Sequence, residues 1–188
     1  MLDVSDHPKV IDAERRGVHF ESRRRWYALD DADRITHVSP GWSEPENKLL
    51  GRTIWEFFSG TATHHIYKNI FQSIRGKRAT ASLAIRCDQP DRLIELRVVV
   101  SGGADRQLLV TFETLREAPT EYQSLWDPAV VRSRQTVRAC SWCQSIHVHD
   151  GLWLPFVDAV GEIGLLQANN PPDISHGICE SCSARLGL

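Results

Sequence analysis

The chain has 188 residues, 41% apolar and 24% charged, the composition of a globular protein with room for one ordinary domain and a small appendage. A formal net charge of −2 excludes a global field that gathers nucleic acid or an anionic membrane. No apolar run approaches the roughly 20 residues of a membrane-spanning helix, and the opening MLDVSDHPKV lacks a signal-peptide core, so a reducing cytoplasm is expected.

Residues 1–23 predict a helical extension. Pro8 suits a first turn, and Val10, Ile11, Val18 and Phe20 make a thin apolar stripe that Gly17 interrupts. Such a segment packs on a domain or on a second copy of itself. Residues 24–117 read as a strand-rich α+β domain. Residues 25–29 and 34–38 are two strands of a hairpin around Asp30-Asp31-Ala32-Asp33. Ser39 is expected to cap a short helix begun by Pro40 and carrying Trp42. Thr53 to Phe58 is a short turn with three aromatics. Thr61 or Thr63 caps a longer helix through Arg75, with Ile66, Ile70, Phe71 and Ile74 on one face, and Gly76 ends it. Three strands follow, over residues 80–86, 93–100 and 107–112, with turns at Asp88-Gln89-Pro90-Asp91 and 101–105.

Residues 118–137 form a connector broken by Pro119 and Pro128, in which Leu125-Trp126 is expected to anchor back onto the first domain. Residues 130–138 read as a strand leading into a small module over 138–188. Within that module Ile146, Val148, Trp153 and Leu154 suggest a hairpin around Asp150-Gly151. Residues 155–167 look helical, although Gly161 and Gly164 weaken the pattern.

The strongest chemical signal is a pair of knuckles, Cys140-Ser141-Trp142-Cys143 and Cys179-Glu180-Ser181-Cys182. Each holds two thiolates about one turn apart. Together they supply the four sulfurs of a closed tetrahedral zinc site, with no position left for water or substrate. Two disulfides, four free thiols or an iron–sulfur cluster use the same residues. Cys87 then stands outside the set. His176, three residues before Cys179, is expected to hydrogen-bond a sulfur or a carbonyl behind the metal. Residues 119–188 carry seven acids and four arginines, and four thiolates on zinc add two negative charges. Arg132, Arg134 and Arg138 either offset that charge or form a nucleic-acid patch, though no stacking aromatics interleave them.

Trp26, Trp42, Trp55, Phe58 and Phe71, with His64 and His65, are the candidates to line a small-molecule pocket, and they serve equally to fill it. Haem would need one of these histidines as axial ligand, and covalent flavin chemistry would need a cysteine before Arg86, where there is none. Neither cofactor is expected. The chain shows no phosphate-binding glycine loop, no Gly-x-Ser-x-Gly elbow and no His-Glu-x-x-His, so no enzyme is expected.

The order strand, strand, short helices, long helix, three strands resembles the PAS fold: a five-stranded antiparallel sheet with helices on one face. Trp26-x-x-x-Asp30, Arg34-Ile35, Ser39-x-Gly41-Trp42 and Gly51-Arg52-Thr53-Ile54-Trp55 are similar to the PAS pattern. Arg86-Cys87-Asp88-Gln89-Pro90-Asp91 resembles the hairpin of a bacterial PAS-like family of mostly uncharacterised proteins. Cys140 to Cys143, Trp153-x-Pro155 and Ser175 to Cys182 resemble a cysteine-rich tail found beside PAS, histidine-kinase and response-regulator modules. That tail has proline between its last cysteines, where this chain has Glu180-Ser181. The resemblance implies a non-enzymatic, cytoplasmic sensory or regulatory protein with structural zinc. It would bind a protein partner, a second copy of itself as a homodimer, or a small ligand. With no output domain expected after the zinc module, it would act in trans or by dimerisation. A zinc–thiolate redox switch and a nucleic-acid-binding regulator are the alternative readings.

Overall fold

The computed structural model describes residues 24–58, 60–77, 79–164 and 170–186. The expected helix over 1–23 lies outside them. The protein is mixed α+β. An antiparallel five-stranded sheet comprises β1 (Arg24–Leu29), β2 (Ile35–Val38), β3 (Thr80–Arg86), β4 (Arg92–Gly102) and β5 (Leu108–Pro119), in the order β2-β1-β5-β4-β3. Helices α1 (Glu46–Leu49) and α2 (Thr61–Ile74) fall between β2 and β3 in the chain, with a 3-10 turn over Ile54–Phe57.

The β1–β2 hairpin follows from its turn chemistry. Asp30 Oδ1 accepts the N–H groups of Ala32 and Arg34 at 3.0 and 2.8 Å, and Asp33 takes the left-handed conformation at φ 62°. Ser39 does not begin a helix. Its hydroxyl accepts the Trp26 N–H at 3.0 Å, and its own N–H donates to the Trp26 carbonyl at 2.9 Å. Gly41 at φ +90° then turns the chain, and α1 starts only after Pro45.

The chain divides into two compact units. The first comprises residues 24–57 with Lys68–Leu83 and Arg97–Thr114. Its core is mainly aliphatic: Leu29, Val98, Val100, Leu108 and Val110 are fully buried, and Phe71 of the same unit is fully buried as well. At the end of α2 the buried Arg75 guanidinium pairs with Asp33 and donates to the carbonyls of Asp30 and Arg106. Asp33 also accepts the Trp55 indole N–H at 2.9 Å. One guanidinium thus ties the β1–β2 turn to the turn before β5, and all its partners are satisfied.

The second unit comprises Phe58–Tyr67, Ala84–Leu96 and the chain from Leu115 onward. It contains a four-stranded sheet of β6 (Thr136–Cys140), β7 (Ile146–His149), β8 (Leu152–Leu154) and β9 (Asp173–Gly177), in the order β8-β7-β6-β9. β6 and β9 are parallel, and β6–β7 and β7–β8 are antiparallel. Helix α3 (Phe156–Glu162) packs on this sheet, and α4 (Glu180–Leu186) closes the described chain. The expected helix to Gln167 stops early: Gly164 turns left-handed at φ +64°, and 165–167 lie outside the described residues. Leu125 and Trp126 pack with Ala139, Ile146 and Ala159, so they belong to the core of this sheet.

Candidate metal centre

β6 and β9 explain how two distant knuckles meet. The strands run parallel with Cys140 opposite Gly177, so both knuckles leave the sheet at the same end. The Ser141 N–H donates to the Gly177 carbonyl at 3.0 Å and holds the exits together. The first knuckle closes as a tight turn. Cys140 N–H donates to the Ser145 carbonyl at 2.8 Å, Gln144 N–H donates to the Cys140 carbonyl at 2.9 Å, and Gln144 sits at φ 57°. The second knuckle opens α4, where Cys179 precedes the helix and Cys182 lies in its first turn.

The four sulfurs of Cys140, Cys143, Cys179 and Cys182 all lie within 4.8 Å of one another. Cys143 and Cys179 sulfurs are 3.7 Å apart. A zinc–sulfur bond of about 2.3 Å sets tetrahedral edges of about 3.8 Å, so the cluster has the dimensions of one four-coordinate ion. Cys140, Cys179 and Cys182 are buried and Cys143 is half-buried. Backbone N–H groups point at the sulfurs: Cys179 to Cys140 at 3.5 Å, and Cys182 to Cys179 at 3.4 Å. Arg185 donates to the Cys182 sulfur at 2.8 Å.

With protons on the sulfurs the four groups are unequal. The Cys140 thiol donates to Cys143, which holds Cys143 down to about 4 and, together with burial, pushes Cys140 up. Burial also pushes Cys182 up to about 11, against the pull of Arg185. Four thiols in so small a space therefore share protons among themselves, and a divalent cation that replaces the protons removes the conflict.

The residues between the cysteines of the first knuckle face inward. Trp142 is 3% exposed and stacks on Tyr67, with centroids 5.9 Å apart at 21°. Its carbonyl accepts the Arg86 N–H at 2.7 Å. Ser141 and Thr63 share a hydroxyl–hydroxyl bond of 2.6 Å. The Gln144 side chain accepts the Asp88 N–H at 3.1 Å. Asp88 is in turn held by Arg86 and by the Ile94 N–H at 2.9 Å. The Arg86-Cys87-Asp88 segment is thus where the knuckle rests. The Trp142 indole N–H is buried without a hydrogen-bond partner among the described residues, a cost that stacking and burial must outweigh. Burial pushes the Tyr67 phenol up to about 12, with the Cys87 thiolate charge adding to it.

His176 lies in β9 opposite Ala139. It is half-buried, and burial holds it below the usual histidine range. Gly60 passes so close that a Cβ there would sit 2.8 Å from the His176 Cβ. Arg185, which the sequence reading did not single out, provides the side-chain cation at the sulfurs. Its one signal was its place three residues after Cys182, on the same helix face. Cys87 is exposed and is not one of the four clustered cysteines.

The pocket candidates are dispersed. In the first unit Phe71 is buried in ring contact with Trp55 at 5.5 Å, and Trp42 packs on Tyr27 and Phe112. Trp26 is half-buried on β1 and its carbonyl also takes the Trp42 indole N–H. In the second unit Phe58 packs on Tyr67 at 4.7 Å, His64 is half-buried and His65 is exposed. An open depression of about 520 Å³ lies beside β6 and β7, and its lining, Arg138, His147 and Ile163 among it, includes none of these seven.

The arginines before the first knuckle do not act together. Arg132 turns inward and donates to the carbonyls of Leu125, Asp127 and Pro172 at 2.9, 2.8 and 3.3 Å. Arg134 and Arg138 are exposed. No helix among the described residues is long and apolar enough to cross a membrane. Comparison with known proteins finds no matching family, no similar curated protein and no similar solved structure.

Proposed function

We propose that this chain is a non-enzymatic, PAS-like regulatory protein of the bacterial cytoplasm whose four cysteines hold one structural zinc ion. The observation that carries the zinc reading is the closed sulfur set, four thiols within 4.8 Å and mostly buried. Zinc bound there supplies binding energy and a fixed tetrahedral geometry, and leaves no position for a substrate. Cys140, Cys143, Cys179 and Cys182 would hold it, and Arg185 would offset part of the charge. The antiparallel five-stranded sheet, with its helices inserted between β2 and β3, supports the PAS-like reading. Such a protein works by binding a protein partner or a second copy of itself. Nucleic acid is disfavoured because Arg132 is already bound to three carbonyls.

Native mass spectrometry on protein purified without added metal tests the proposal, followed by denaturation of the same sample. One zinc per chain and a dimer mass are the expected result. No bound metal, or an iron–sulfur mass, would overturn the zinc reading. A haem or other small-molecule mass would replace the partner-binding reading with that of a ligand sensor.

A further inference from the structure

In most two-cysteine knuckles the residues between the cysteines need only turn the chain. Here Ser141 and Trp142, with Gln144 just after the knuckle, each bind a residue far away in sequence: Thr63 and Tyr67 of α2, and Arg86 and Asp88 at the end of β3 and just after it. Within the knuckle the ties are few, and a backbone bond from Ser141 to Gly177 holds it to β9. Its turn is left-handed at Gln144, and two backbone hydrogen bonds close it. A metal on Cys140 and Cys143 would be a stronger tie than any of these hydrogen bonds.

We infer that the first knuckle is a metal-dependent latch: metal on the four cysteines keeps Trp142 and its neighbours docked on the β3–β4 hairpin and on the first turns of α2, and loss of the metal releases them. The inference rests on the metal reading above and adds a regulatory consequence to it. When the latch opens, the Arg86 and Asp88 N–H groups lose their acceptors, and Tyr67 loses the ring stacked on it. A buried aromatic face is uncovered in the same step, so metal occupancy is converted into a change of surface.

Hydrogen exchange on the full chain, read by mass spectrometry, tests this. Zinc-loaded protein is compared with the same protein after EDTA treatment and buffer exchange. Metal loss is expected to speed exchange in peptides covering 61–67 and 85–89 by at least about tenfold, and to leave peptides covering β1 unchanged. Trp142→Ala is expected to keep one zinc per chain and to speed exchange in 61–67, where Tyr67 loses the ring stacked on it. Slow exchange in both peptides after complete zinc removal would overturn the latch while leaving the zinc reading intact. The same holds if Trp142→Ala binds zinc and exchanges as slowly as the parent chain. Failure of the untreated protein to take up zinc would instead overturn the metal reading, and the latch with it.

Discussion

The two units are stabilised in different ways. The first buries Leu29, Ile35, Val98, Val100, Leu108 and Val110 at 3% exposure or less and closes one end with Arg75. Each such aliphatic side chain contributes about 1.5–3 kcal/mol on burial. The cluster under the second sheet has four buried members, and two of them, Ala139 and Ala159, are alanines. Alanine removes little surface from water, so this cluster relies on the partly buried side chains packed against it, Trp126 and Phe156 among them. The four clustered sulfurs belong to this same unit. On the proposed reading, a metal held by those sulfurs would add to the second unit what its few fully buried side chains do not supply.

The largest expected effect breaks the second unit alone. Cys179→Ser leaves three sulfurs and removes most of the metal's apparent binding energy, about 10–16 kcal/mol in small zinc modules. Slow hydrogen exchange across β6 and β9 should be lost while β1 keeps its protection. Stoichiometric zinc with unchanged thermal stability would refute this.

Arg75→Ala is the matching break in the first unit. It leaves the half-buried Asp33 without its cation and two carbonyls without their donor, which costs up to about 3–5 kcal/mol. Urea denaturation should show the loss, and exchange across β6 and β9 should stay slow in the variant. A loss below about 1 kcal/mol would mean that the ion pair is not what closes that end.

Arg185→Gln sharpens the comparison, since it touches the metal site and none of the core. Supporting groups around metal ligands typically carry 10–100-fold in affinity, so competition with a chromophoric chelator should show a loss in that range. Lysine at the same position should restore part of it. An unchanged affinity would make the Arg185–Cys182 contact incidental.

The smallest effect is a pH dependence at His176. Burial lowers its pKa in the folded chain, so below the ordinary histidine value of about 6.5 the unfolded chain binds a proton that the folded chain refuses. Stability of the second unit should therefore be full above that value and decline as pH falls through it. His176→Asn should flatten that part of the curve, and an identical slope in both proteins would assign it to other groups.

Spacing alone marked the four cysteines that cluster, because a Cys-x-x-Cys pair sets two sulfurs about one turn apart wherever it folds. Alternation and turn residues marked the strands of the first sheet in the same local way, since a two-residue period and an Asp-rich turn need no distant partner. The misplaced elements were those where a distant group competes with a local preference. Ser39 reads as a helix cap, yet its hydroxyl is taken by the Trp26 N–H across the hairpin. Leu125-Trp126 reads as an anchor to the preceding domain, yet it packs under β6 and β7. Arg132 reads as an offset to the thiolate charge or as part of a nucleic-acid patch, yet it donates to three carbonyls.

By itself the sequence determined the local elements, the cysteine pairs and the absence of familiar catalytic motifs, because all of these depend on residues near one another in the chain. Only the tertiary structure decided that β6 and β9 run parallel and bring the knuckles to one end of a sheet. It alone decided that Trp142 and Gln144 rest on Tyr67 and Asp88, that Arg75 pairs with Asp33, and that Arg185 reaches the Cys182 sulfur. These are pairings over tens of residues, chosen by which buried polar group finds its partner, and no local pattern records that choice.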